Sequence, residues 1–258
     1  MKMLVNKCKK YLKSQFPVVK TYLVKFLYPN QCLLCEEQIA EESTFCLNHY
    51  NQIKFISFPS CKICSRPINN ESSEILKCAE CEVKKPSYQS STILFIYEKV
   101  ISGMILSLKY HDNTYICKKL GRMFAQKLTR DKSVDFDIIA AVPLHKKRIK
   151  SRKYNQSVIL GKHIASNLDG VKFITNLLVR TKFSKTQENL NKNERNKNLK
   201  NAFIVNPKYR DFVKDKNIIL VDDVVTTGAT IENCSLALKN YDANHIKIMA
   251  IAKTTLES

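Results

Sequence analysis

Two adjacent acids, Asp222 and Asp223, precede a pair of valines and then the run Thr226, Thr227, Gly228, Ala229 and Thr230. Small residues and a glycine let backbone N–H groups approach an anion, and threonine hydroxyls add donors. A helix opening at that point contributes the positive end of its dipole. Carboxylates beside such a cradle look contradictory for a bare phosphate, but they suit a ribose 5-phosphate. The loop takes the phosphate while Asp222 and Asp223 accept hydrogen bonds from the 2- and 3-hydroxyls. The plainer reading makes these acids and threonines loop ends and helix caps. A strand, an acid pair and T-T-G-x-T opening a helix, in that order, favour the sugar phosphate.

A second chemistry lies upstream. Cys32/Cys35, Cys46/His49, Cys61/Cys64 and Cys78/Cys81 are spaced pairs, each partner separated from its mate by two residues. That spacing lets a tight knuckle present two ligands to one tetrahedral zinc ion. Taken consecutively, Cys32, Cys35, Cys46 and His49 hold one ion and Cys61, Cys64, Cys78 and Cys81 another. An interleaved pairing is the alternative, and His49 as a surface histidine is another. A closed four-ligand site has no open position, so these zincs are structural rather than catalytic. Cys8, Cys117 and Cys234 lack ligand spacing and read as small hydrophobes in apolar faces.

Elements must carry these groups. Ile218–Val221 are four apolar residues in a row, as in a strand buried on both faces. Strand-like runs at 92–97, 137–142, 217–221 and 245–252 alternate with helix-like runs at 100–110, 115–127, 155–167 and 229–241. The alternation predicts an α/β fold, a largely parallel sheet flanked by helices. Residues 30–86 are rich in Cys, Pro, Ser and Asn with little apolar periodicity, which fits a small metal-stapled unit. Residues 1–29 space apolar side chains as a basic amphipathic helix that Pro17 breaks or kinks. Packing on its own domain is the plain role for that helix; association with a membrane surface, nucleic acid or a partner is the alternative. The Lys/Asn-rich stretch 189–201 reads as a mobile loop. The expected organisation is thus an N-terminal helix over 1–29, a double zinc ribbon over 30–87 and an α/β domain over 88–258.

The chain has 258 residues and a formal net charge of +20, which draws polyanions: nucleic acid, phosphorylated metabolites or an anionic membrane. Lysines interrupt every apolar run near the N-terminus, so no signal peptide is predicted. No run approaches the roughly 20 apolar residues that cross a bilayer. The expected location is the cytoplasm.

The Ile218–Asn233 segment resembles the phosphoribosyl-diphosphate (PRPP) motif of type I phosphoribosyltransferases. LKYHD at Leu108–Asp112, VPLHKKRIKSRKYNQ at Val142–Gln156, RTKFSKTQ at Arg180–Gln187 and ERNKNLKNAF at Glu194–Phe203, together with the zinc pairs, narrow the resemblance to the competence protein F (ComF) family. It implies a type I phosphoribosyltransferase-like sheet preceded by a double zinc ribbon. Asp222 and Asp223 become ribose-contacting acids, and Thr226, Thr227, Gly228, Ala229 and Thr230 the 5-phosphate loop. Val142, Pro143, Leu144 and His145 resemble the diphosphate loop, and Arg180–Phe203 the flexible loop that closes over the diphosphate. Lys146, Lys147, Arg148, Lys150, Arg152 and Lys153 follow the diphosphate loop and could neutralise the departing charge; singly, each reads as part of a solvated basic face. Mg²⁺ is the cofactor implied with PRPP. The family role implied is DNA uptake in natural transformation, with single-stranded DNA bound beside a competence helicase and a recombination mediator. A transferase moving ribose 5-phosphate from PRPP to an acceptor is the alternative, though no base-recognising hood is visible. One departure bears on the local turn: the family's Arg-Gly-Phe-Asn-Gln is here Arg152, Lys153, Tyr154, Asn155, Gln156, which places a Cβ at a permissive backbone position.

Overall fold

The computed structural model describes residues 29–41, 43–57, 59–68, 77–131, 133–144, 151–181 and 202–255. The predicted N-terminal helix falls outside them except for its last residue, as does the predicted loop at 189–201. The chain divides into two compact units, Met1–Gln52 and Ile53–Ser258.

The first unit carries the short helix α1, Leu47–Gln52. In the second unit, α2 (Ala79–Lys84) precedes strand β1, Ser90–Ile96. Helices α3 (Lys99–Tyr110) and α4 (Tyr115–Arg130) follow, then β2, Ile138–Ala141. After α5 (Gln156–Ala165) come three short strands: β3 (Lys172–Ile174), β4 (Leu178–Arg180) and β5 (Phe203–Val205). A 3₁₀ turn, Pro207–Phe212, leads to β6 (Asn217–Val225), α6 (Ala229–Lys239) and β7 (His245–Lys253).

Five strands form one sheet in the order β1-β7-β6-β2-β3, and every pairing in it is parallel. β6 is central, with Ile218 to Val221 opposite Ile138 to Ala141 on one side and Ile246 to Met249 on the other. All four of those β6 residues are fully buried, as a strand covered on both faces requires. Ile218 and Leu220 join α6's Ile231, Cys234 and Leu238 and the β4–β5 ribbon in one core. On the other side of the sheet Ile139 and Phe173 lie against Gly161 of α5.

β6 outruns its apolar run. It was expected to end at Val221, but it continues through both aspartates to Val225, because β7 supplies ladder partners as far as Lys253. β3, β4 and β5 were not anticipated. The last two pair antiparallel, and Thr181 N–H donates to the Ala202 carbonyl at 3.0 Å beyond them. Thr181 and Ala202, the described residues on either side of 182–201, are therefore neighbours in the fold.

The free edge of β1 is covered. Ile56 N–H donates to the Leu94 carbonyl and Ile96 N–H to the Lys54 carbonyl, both at 2.9 Å, while Ser91 N–H reaches the Lys62 carbonyl at 3.1 Å. Phe55 sets its ring edge-on to Phe95 at 5.3 Å. A bare β1 edge would offer these groups to a second chain; the stretch leading into the second cysteine set occupies them instead.

Gly121 sets the spacing of α4 and α5. A Cβ there would lie 2.7 Å from His163 Cβ and 3.0 Å from the His163 carbonyl carbon. Gly121→Ala must push two helices apart and is expected to cost roughly 1–3 kcal/mol, read from the urea midpoint. Gly161→Ala meets only the edge of the Phe173 ring and the Ile139 methyl and should cost less.

Candidate functional site

The acid pair sits where the buried part of β6 ends. Neighbouring side chains of a strand point to opposite faces, and each acid has its own partner. Asp222 accepts from Ser157 Oγ of α5 at 3.2 Å and from the Asp223 N–H at 2.8 Å. Asp223 pairs with Lys109, in the last turn of α3, at 2.8 Å, both side chains being largely buried. Asp223 also accepts from the Val224 N–H at 2.7 Å. Burial first, then the neighbouring Asp223 charge, pushes the Asp222 carboxyl up to about 7, against the opposing pull of the Asp223 N–H, Ser157 and Lys109.

The predicted 5-phosphate loop follows directly. Thr226, Thr227, Ala229 and Thr230 are exposed, and Gly228 has φ of 76°, the left-handed conformation glycine adopts without strain. Thr227 Oγ1 accepts from the Ala229 N–H at 3.5 Å, while the N-cap residue itself, Gly228, offers no side-chain acceptor to the first turn of α6.

The predicted diphosphate loop starts beside this site. Val142 N–H donates to the Val221 carbonyl at 2.9 Å, which extends the β2–β6 ladder by one residue. Asn155 then ties loop to helix: its Nδ2 donates to the Val142 carbonyl at 2.9 Å and its Oδ1 caps α5 through the Ser157 N–H at 3.0 Å. Val142 is buried and Pro143 and Leu144 are half-buried. His145, Lys146, Lys147, Arg148 and Lys150 lie outside the described residues. Arg152 is placed over the Tyr110 ring at 5.5 Å.

Lys153 adopts the left-handed backbone conformation, with φ of 64°. Such a conformation costs a residue with a Cβ about 1–2 kcal/mol. Its surroundings hold it: Lys153 Nζ pairs with Asp112 at 3.0 Å, itself at φ of 54°, and Tyr154 OH donates to the Leu108 carbonyl at 2.6 Å. Gln156, first in α5, is 1% exposed, and neither polar atom of its side chain meets a partner among the described residues.

Lys109, Ser157 and Asn155 were not among the expected site residues. Lys109 lies inside the LKYHD run and Asn155 inside the RKYNQ run, so the motif text held a signal. Nothing local marks Ser157, whose role depends on a strand 65 residues away.

The cysteine pairs gather consecutively. Cys32, Cys35, Cys46 and His49 form one group and Cys61, Cys64, Cys78 and Cys81 the other, with the ligand atoms of each set within 4.8 Å of one another. His49 Nδ1 is 3.3 Å from Cys46 Sγ and 3.7 Å from Cys32 Sγ, so it joins the first set. Seven thiol sulfurs and one imidazole nitrogen stand in tetrahedral numbers, none of these cysteines is in a disulfide, and the groups fit zinc. In the first knuckle of each set a residue with positive φ follows the second cysteine, Glu36 in one and Ser65 in the other. Cys117 and Cys234 are fully buried in the apolar core, as expected. No helix among the described residues is long and apolar enough to cross a membrane.

Sheet order, the acid pair in the last rungs of the central strand's ladder and the glycine-opened helix after it define a phosphoribosyltransferase-type domain in a chain with zinc ribbons. Residues 154–255 match the family described as phosphoribosyl transferase domain, and residues 23–82 that described as double zinc ribbon domain. Competence protein F of Haemophilus influenzae is 28% identical over 228 residues, covering 86% of this chain and 96% of that protein. DNA utilization protein YhgH of Escherichia coli is 26% identical over 241 residues, 88% of this chain and 98% of its own. Competence protein ComFC of Bacillus subtilis is 24% identical over 218 residues, 78% and 85% of the two chains. A hypoxanthine phosphoribosyltransferase from Staphylococcus aureus overlaps 58% of this chain and 76% of its own at 12% identity and a TM-score of 0.35. The chain is thus similar over most of its length to competence protein F, ComFC and YhgH, and carries a double zinc ribbon followed by a phosphoribosyl transferase domain.

Two outcomes follow from this geometry. Because the folded-state value for Asp222 is raised from 3.8 to about 7, its stabilising contribution is full below pH 3.8 and disappears as pH rises to about 7. Asp222→Asn should flatten the ligand-free melting temperature over that window and raise it at pH 8. Cys81→Ser should release one zinc equivalent and lower the stability of the 53–258 unit, whereas Cys46→Ser should release the other and leave that transition in place. Metal analysis with differential scanning calorimetry reads both.

Proposed function

We propose that the protein binds PRPP with Mg²⁺ at the end of β6 and acts in the cytoplasm in DNA uptake, binding single-stranded DNA. The observation that carries the PRPP reading is the acid pair poised before the exposed first residues of a glycine-opened helix. Asp222 is supported by Ser157 and Asp223 by Lys109, and the Thr226–Thr230 donors stand just beyond. In this reading the loop takes the 5-phosphate. The two carboxyls accept from the ribose hydroxyls, and the segment after Val142 lies beside the diphosphate. Ribose hydroxyls and a cation favour the ionised carboxylate, so binding draws the Asp222 proton off. When bound, Mg²⁺ supplies positive charge to the diphosphate and Asp223 is the better placed of the two acids to face it, being less buried.

The DNA reading rests on the net charge of +20 and on the names of relatives, one of which is a DNA utilization protein. Phosphate contacts by lysine and arginine make such binding strongly salt-dependent. A second reading, group transfer, uses the same groups. Diphosphate leaves ribose C1 with the bonding electron pair, positive charge grows on the sugar, and an acceptor nucleophile forms the new bond to C1. The chain's part would be to hold the sugar by Asp222 and Asp223 and to neutralise the departing oxygens with basic residues such as Arg152.

Calorimetric titration with PRPP–Mg²⁺ and a gel shift with single-stranded DNA, run on one sample, test the proposal. Binding of PRPP should be lost in an Asp222→Ala/Asp223→Ala double variant, while DNA binding persists in it and weakens steeply with salt. No heat with the wild type would overturn the ligand assignment, and no shift at low salt would overturn the DNA role. Diphosphate release that depends on one added acceptor would establish transfer.

A further inference from the structure

The second metal site touches the candidate phosphate loop from two directions. Lys253 ends β7 opposite Val225, the residue just before Thr226, and the Val225 carbonyl accepts from the Thr254 N–H at 3.1 Å. From the same residue, Lys253 Nζ donates to the Cys64 carbonyl at 2.8 Å. The other connection runs through α2, which carries Cys81. Beyond it, Ser87 N–H donates to Glu232 Oε2 at 3.0 Å and Ser87 Oγ donates to Oε1 at 2.5 Å. Glu232 lies in the first turn of α6, the helix the phosphate loop opens, and its N–H donates back to the Gly228 carbonyl at 2.9 Å. Tyr88 packs on the core between these groups; burial pushes its hydroxyl pKa up, and the charges of Cys64, Cys81 and Glu232 add to the effect.

Lys253 is the more telling of the two contacts. It is 7% exposed, and its ammonium meets no carboxylate among the described residues. A buried cation with only a carbonyl for company is costly. Four thiolates around one zinc leave a double negative charge, and Lys253 stands beside them, hydrogen-bonded to the backbone of one ligand. The lysine is balanced when the metal is held and stranded when it is not.

We propose that Lys253 and Glu232 are positioning residues, through which the metal held by Cys61, Cys64, Cys78 and Cys81 sets the backbone of Val225–Glu232 and hence its affinity for a phosphorylated sugar. The Cys32, Cys35, Cys46 and His49 site takes no part. The affinity half of this rests on the PRPP reading above; the backbone half does not. By linkage, a ligand on the loop also tightens retention of that metal.

The full-length, zinc-loaded protein tests both halves. Hydrogen–deuterium exchange across residues 225–232 should quicken in Lys253→Met, Glu232→Ala and Cys81→Ser and stay at the wild-type rate in Cys46→Ser. PRPP–Mg²⁺ should bind the first three about tenfold more weakly. Glu232 sits on a half-buried helix face, so Glu232→Ala reports even if the Lys253 or Cys81 variant fails to fold. Unchanged exchange in Glu232→Ala and Lys253→Met, or an equal change in Cys46→Ser, would overturn the coupling. Coupled exchange in a wild type that gives no heat with PRPP–Mg²⁺ would leave the coupling standing and remove the ligand assignment.

Discussion

Asp222 stands where the dry interior of the sheet gives way to the loops, and much of the site consists of what it takes to keep a carboxyl there. The β2 and β7 ladders on either side of β6 hold the backbone rigid up to that residue. Low dielectric and the adjacent Asp223 both disfavour a second charge. Ser157 and the Asp223 N–H offer hydrogen bonds without adding charge, and Lys109 neutralises the neighbour rather than Asp222 itself. The result is an acid with little to gain from water and much to gain from a ligand that brings hydroxyls and positive charge.

The zinc sets divide between two compact units, and the one within the sheet's unit does more than fold a ribbon. A small cysteine-rich stretch buries too little apolar surface to stand alone, and metal ligation supplies what the core lacks. Here the segment around that metal also closes the edge of β1 through Lys54, Ile56 and Lys62. An α/β sheet usually covers its faces with helices and leaves the edge strands exposed. This chain spends part of its ribbon on one edge.

What could be read beforehand depended on how local the signal was. The cysteine spacings and the T-T-G-x-T run are contiguous, and the alternation of strand and helix spans long periodic runs, so the structure matches them closely. Three-residue strands such as Lys172–Ile174 carry no period to detect, because an alternating pattern needs a longer run to rise above chance. Aspartates are poor strand formers in isolation, yet two of them sit in β6 because β7 supplies ladder partners alongside. Lys109 and Ser157 acquire meaning only when distant segments meet. The substituted glycine at Lys153 was visible as an anomaly. What the text did not show is that Asp112 and Tyr154 hold the turn in place without it.

The antiparallel ribbon of β4 and β5 closes on itself at Thr181 and Ala202. With both ends of the intervening segment clamped to each other, its length is nearly decoupled from the rest of the fold, since loop entropy grows only slowly with added residues. Residues could be inserted or removed there with little strain reaching β6 or the acid pair. Two chain positions pinned together in this way leave the sheet its register whatever length of chain joins them, so a tag or reporter could be spliced between them.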